Sequence, residues 1–143
     1  MPRARMTLLG VMTLVGVSCS SFAPVAVSTG DQCFRCRRMI SDRYLAAEMI
    51  DRNGFVSKYR GPACLAKYLA DHPDETATLF ATDYATGRMF SPGQLLFVPV
   101  VLDRATGESD YQAYRLKGDA FSLAERDHTT PVDWQTVLAR ARS

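Results

Sequence analysis

One apolar stretch divides this chain into a part that folds and a part that does not count toward the fold. Arg3 and Arg5 are the only charged residues before Cys19, and residues 6–17 carry no charge at all. A helix over that run is about 18 Å long at ~1.5 Å per residue, well short of the ~30 Å hydrocarbon layer of a bilayer. A positive start followed by so short an apolar run reads as a signal peptide, residues 1–18, and is kept out of fold reasoning. Residues 19–30 are small, polar and interrupted by Pro24, as a tether is. Residues 31–143 remain as one domain, long enough to bury its own core.

Gly16-Val17-Ser18-Cys19 is similar to a bacterial lipobox, which makes Cys19 a lipidation candidate and predicts an anchored protein facing the periplasm. The competing reading is ordinary signal cleavage after Ser21-Phe22-Ala23. Both place the protein in the bacterial cell envelope, exported. Thiols in such oxidising compartments end up paired, lipidated or metal-bound. The cysteines are Cys19, Cys33, Cys36 and Cys64. With Cys19 lipidated, an odd number remains, and they cannot all pair within the chain.

Composition excludes several classes. Hydrophobic residues at 47% and charged residues at 22% are ordinary globular usage, not that of a disordered or fibrous chain. Two of the 17 basic residues leave with the signal, so the rest balance the 15 acidic ones. That leaves no basic surplus for a phosphate backbone, and no nucleic-acid partner is expected. Glycine-rich phosphate loops and G-x-S-x-G elbows are absent from the sequence, and no enzymatic function is expected.

Residues 44–51 turn strand-like toward their end, Asn53-Gly54 is a hairpin signal, and residues 55–59 alternate beyond it. Gly61-Pro62 opens a helix that Pro73 stops, with Leu65, Tyr68, Leu69 and His72 at helical spacing. Strands are predicted at 76–84, from Met89 and at 111–115, with turns at 85–88 and 103–107. The apolar run 95–102 is expected to be the central, most buried strand, with Pro99 at a bulge or edge. A weak helix follows at 118–126. Thr130-Pro131-Val132-Asp133 is read as a capping box with Thr130 as cap, before a helix that turns Trp134, Val137, Leu138 and Ala141 inward. Helices segregated from strands in this order give an α+β fold with a small antiparallel sheet.

The chemistry concentrates in Cys33-Phe-Arg-Cys36-Arg-Arg-Met39. Two thiols at C-x-x-C spacing hold a soft metal, close a small-ring disulfide or carry out thiol exchange. The Met39 thioether adds a soft neutral donor, and thiolate with thioether favours Cu(I) over oxygen-preferring ions. Arg35, Arg37 and Arg38 bring positive charge that favours the thiolate form. Cys33, Cys36 and Met39 are therefore the candidate metal ligands. A structural Cys33–Cys36 disulfide remains the plainer reading. Cys64, in the first turn of a helix, reads as a small buried cysteine, and Met49 and Met89 read as packing. His72 reads as a helix cap and His128 as a loop residue.

Taken together, these segments resemble NosL, the copper-chaperone lipoprotein family that accompanies nitrous oxide reductase. The resemblance runs through the C-x-x-C motif, Ile40-Ser-Asp-Arg-Tyr-Leu-Ala-Ala-Glu48, the Asn53-Gly54 hairpin, Gly61-Pro-Ala-Cys-Leu-Ala-Lys-Tyr-Leu69 and Ala81-Thr-Asp-Tyr-Ala-Thr-Gly87. It implies two strand-strand-helix-strand units, Cu(I) bound by cysteine and methionine, and delivery to a periplasmic copper enzyme or its maturation machinery. The family pattern is C-x-x-C-G-M, whereas here Arg37 follows Cys36 and Met39 comes one position later. The family's second-half methionine has no counterpart in residues 104–111. Two other functions stay open at this point: a thiol-disulfide oxidoreductase using Cys33 and Cys36, and a NosL-fold lipoprotein that has lost its metal.

Overall fold

Asn53-Gly54 does what its chemistry predicts. Gly54 takes φ +84°, and Asp51 Oδ1 accepts the N–H groups of Asn53 at 2.8 Å and Phe55 at 2.9 Å. This turn joins β1 (Ala47–Asp51) to β2 (Val56–Tyr59) as an antiparallel pair, with Ile50 opposite Val56. The computed structural model describes residues 21–143, so the expected signal segment 1–18 and the lipidation candidate Cys19 lie outside the described residues. No helix among the described residues is long and apolar enough to cross a membrane.

Pro62 opens helix α1 (Pro62–Asp71) at the first position, where its missing N–H costs nothing, and the helix closes at His72 before Pro73. Strand β3 (Ala77–Thr82) returns along the free edge of β1, and β4 (Met89–Phe90) adds to β3, giving the order β2-β1-β3-β4. A short 3₁₀ turn (Pro92–Gln94) leads to β5 (Leu96–Asp103), which pairs antiparallel with β6 (Glu108–Tyr114). Helix α2 (Lys117–Arg126) follows, Val132 then pairs antiparallel with Phe97 of β5, and α3 (Trp134–Arg142) ends the chain.

The fold is α+β and its two halves share one order. In the first half, β1 is flanked by β2 and, after a helix, by β3. In the second, β5 is flanked by β6 and, after a helix, by Val132, a return strand reduced to a single bridge. The halves meet where Tyr84 N–H donates to Ala113 O at 2.7 Å, and where α1 packs against α3. Their shared core contains Met49, Tyr59, Leu65, Phe97, Trp134 and Val137. Each such side chain contributes roughly 1.5–3 kcal/mol on burial.

Two expectations are corrected. The apolar run 95–102 is not the most buried strand: Phe97 and Val98 are buried, but Val101 and Leu102 are exposed. Only one full strand flanks β5, whereas β1 is flanked on both sides and buries Ala47, Glu48, Met49 and Ile50. Phe97 directs its backbone groups to Val132, so Pro99, two residues on, faces the same open edge and breaks no ladder bond. The cap of α3 is Asp133, not Thr130: its Oδ1 accepts the Thr136 N–H at 2.8 Å. The Phe97 bridge keeps residue 132 extended, so the helix starts after it.

The stretch before Cys33 lies on the sheet. Val25 N–H donates to Glu48 Oε1 at 2.9 Å, Lys58 Nζ donates to Ala26 O at 3.0 Å, and Val27 is buried beside Ile40 and Ala46. This cover leaves Glu48 fully buried with Oε2 unpartnered, and burial pushes its pKa up.

Candidate metal centre

The C-x-x-C segment is a tight loop closed by a short antiparallel pairing. Gln32 faces Met39, Ile40 N–H donates to Asp31 O at 2.7 Å, and Cys33 N–H donates to Arg38 O at 2.9 Å. Arg37 N–H returns to Cys33 O at 3.0 Å, and Arg37 takes φ +63° to make that turn. Phe34 fixes the loop to the domain. Its N–H donates to Lys58 O at 2.7 Å, and its ring packs edge-on against Phe55, Tyr59 and Tyr68. Cys33 is thereby driven fully inside, while Cys36 stays half-buried.

Helix α1 presents Cys64 to this loop from its first turn. The three sulfurs lie within 4.8 Å of one another, with Cys36 and Cys64 3.9 Å apart, and all three cysteines are free. Three cysteines are therefore close enough to bind a metal ion.

The environment orders their ionisation. The Cys64 thiol, whose Sγ lies 3.9 Å from Cys36 Sγ, stands close to Cys33 as well; its nearness, with backbone N–H groups of Cys36 and Arg60, pulls the Cys33 pKa below the usual thiol range against the cost of burial. Cys64 is pushed up by its closeness to Cys33, then by burial and by the charges of Cys33, Cys36 and Asp110.

Cys33 and Cys36 are brought together; Met39 is not brought to them. It is 66% exposed and pairs with Gln32, so the pleat turns it to the face opposite Cys33. The third sulfur of the cluster is that of Cys64. The arginines of the loop are also spoken for: Arg35 pairs with Asp71 at 3.4 Å, Arg37 lies over the Phe34 ring at 5.5 Å, and Arg38 pairs with Glu108 at 2.9 Å. Arg60, just after β2, pairs with Glu108 at 2.7 Å. Burial lowers its pKa, but Glu108, and after it Cys36, more than restore it. His72 stacks on Tyr68 at the far end of α1, about 12 Å from Cys64 along the helix axis at ~1.5 Å per residue. His128 lies in the loop after α2.

Cys64 is the residue that a reading of the C-x-x-C segment alone misses. The odd cysteine count is the available signal for it.

No known protein family matches the chain, and no curated protein or solved structure matches it either.

Proposed function

We propose that this protein is an exported, membrane-tethered accessory protein that binds Cu(I) through Cys33, Cys36 and Cys64 and hands it to a copper enzyme of the periplasm, as the NosL resemblance implies. The observation that carries this reading is the spacing of the sulfurs. A trigonal ion with bonds of about 2.3 Å holds its sulfurs about 4 Å apart, and Cys36 and Cys64 lie 3.9 Å apart. Three thiolates without a carboxylate or imidazole among the ligands suit a soft, low-coordinate ion better than an oxygen-seeking one. A donor protein must also release its cargo. Cys36 and Cys64 are half-buried rather than sealed, which leaves an accepting ligand a route to the ion.

The test is anaerobic Cu(I) titration of the mature protein with Cys19→Ser, against a competing chelator. One Cu(I) per chain is expected. Cys33→Ser, Cys36→Ser and Cys64→Ser each lower the affinity by about a hundredfold or more, about 2.7 kcal/mol. Affinity falls with acid because protons compete for the thiolates. Undiminished binding by Cys64→Ser refutes the three-cysteine centre. Absence of binding by the parent protein refutes the copper function and leaves a fold retained without it.

A further inference from the structure

Cys36 and Cys64 have the geometry of a redox pair. Their sulfurs lie 3.9 Å apart, one on the C-x-x-C loop and one in the first turn of α1. A disulfide holds its sulfurs at ~2.05 Å, so closing the bond asks each side chain for a movement of about 1 Å. Both cysteines are half-buried and free. Cys33 differs in access and in freedom. It is fully buried, its N–H is bound to Arg38 O at 2.9 Å, and its carbonyl accepts the Arg37 N–H at 3.0 Å. Thiol exchange needs access to the attacking sulfur, and within this cluster only Cys36 and Cys64 reach the surface. A bond between them also ties positions 28 apart, so it restrains the unfolded chain more than a bond across the C-x-x-C turn would.

We infer that Cys36 and Cys64, rather than the two cysteines of the C-x-x-C motif, form a reversible disulfide in the metal-free protein. The inference rests on the sulfur positions and their access; its consequence for copper rests on the centre proposed above. One of the two thiols, as thiolate, attacks an external disulfide R–S–S–R, forms a mixed disulfide and releases R–S⁻. The other, deprotonated in turn, attacks the protein sulfur of that mixed disulfide, closes the Cys36–Cys64 bond and releases the remaining R–S⁻. The two protons lost by the protein thiols end on the two released thiolates. Two protein thiols are thereby oxidised and one external disulfide is reduced to two R–SH; a reducing dithiol runs the same steps backwards. Closure takes two donors from a three-sulfur centre, so a disulfide-reducing reaction must precede Cu(I) loading of the oxidised protein.

The experiment treats the metal-free mature protein with Cys19→Ser with oxidised glutathione, quenches with acid, alkylates the remaining thiols in denaturant and maps tryptic peptides by mass spectrometry. Arg35, Arg37, Arg60 and Lys67 place Cys33, Cys36 and Cys64 on separate peptides. The expected product links residues 36–37 to residues 61–67, with Cys33 alkylated, and dithiothreitol returns all three thiols. Cys33→Ser is expected to close the bond within about twofold of the parent rate. Cys36→Ser and Cys64→Ser are expected to close any internal bond at least about tenfold more slowly and to accumulate glutathione on the half-buried thiol that remains. A Cys33–Cys36 or Cys33–Cys64 bond as the main product overturns the pairing. Glutathione adducts without an internal bond in the parent, or no oxidation at all, overturn the redox pair. Failure of the copper centre reads differently: a parent that forms the Cys36–Cys64 bond but binds no Cu(I) once reduced keeps the redox pair and loses the copper function.

Discussion

The carboxylate of Asp110 occupies the space that a β-carbon at position 61 would fill. From there its Oδ1 accepts the N–H of Ala63 at 2.9 Å. Helix α1 has no side-chain cap of its own, because its N-cap is Gly61. The cap is supplied instead by β6, from the other half of the fold, across the gap that the missing side chain leaves open. This contact sets the entry of α1, and with it the position of Cys64, the residue after Ala63.

Gly61→Ala is therefore expected to destabilise the protein by about 1–3 kcal/mol through overpacking against Asp110. In an Asp110→Ala background the same substitution is expected to cost much less, because the clashing group is gone. The double variant should then be more stable than the sum of the single losses predicts. Urea denaturation of the four proteins measures the coupling, and simple additivity would separate the two residues.

Burial raises the Asp110 carboxyl to about 6 from the ordinary 3.8, although the Ala63 and Tyr111 N–H groups pull it down. A carboxyl raised on folding favours the folded state when protonated. Its contribution is full below pH 3.8 and is lost as pH rises to about 6. The loss is on the order of 2–3 kcal/mol at most. Asp110→Asn keeps the acceptor oxygen for both N–H groups and removes the titration. It is expected to match the parent at pH 3.5, to exceed it by about 1–2 kcal/mol at pH 7, and to flatten the dependence between. A parallel offset at all pH values would assign the titration to another group.

Arg37 turns the loop at φ +63°, a backbone conformation that costs a residue with a β-carbon roughly 1–2 kcal/mol and glycine little. NosL-like proteins, by the pattern quoted above, carry glycine after the second cysteine. Against the strain stands the cation–π contact of Arg37 with Phe34 at 5.5 Å, worth about 0.5–1 kcal/mol at an exposed site. The expected order of stability is Arg37→Gly at or slightly above the parent, and Arg37→Ala below both, since alanine keeps the strain and loses the contact. Thermal unfolding of the three proteins gives the order, and alanine equal to glycine would show that the strain has no energetic weight.

What was legible in the sequence is what local chemistry decides. The Asn53-Gly54 turn, Pro62 at the start of α1 and Pro73 beyond its end each act within a few residues, and each holds. Cys33 and Cys36 meet because only two residues separate them in one turn. Cys64 joins them only because α1 is docked by a carboxylate 46 positions further on in the sequence, and no local pattern records that. The same limit explains the corrected segments. Whether residues 95–102 are buried depends on which edges of β5 are covered, and whether Thr130 or Asp133 caps α3 depends on Val132 being held by Phe97.

The sharpest division between the linear motif and the folded site is Met39 against Cys64. The sequence places a thioether three residues after Cys36, whereas the fold exposes it beside Gln32 and brings in a thiol 28 residues away instead. Met39→Leu conserves volume and removes only the sulfur, so it is expected to change Cu(I) affinity less than about twofold, within 0.4 kcal/mol or so. Cys64→Ser changes one atom at the centre and is expected to cost about a hundredfold, because a thiolate is exchanged for a poor hydroxyl donor. Both variants should fold, since Met39 is solvent-facing and serine is close to isosteric with cysteine. A second signature separates them: the ultraviolet absorption of thiolate-bound Cu(I) should fall by about a third per thiolate lost in Cys64→Ser and stay intact in Met39→Leu. If the methionine variant loses tenfold in affinity while Cys64→Ser loses nothing, the ion is held by Cys33, Cys36 and Met39 in a rearranged loop, and the thiol from α1 is only a neighbour.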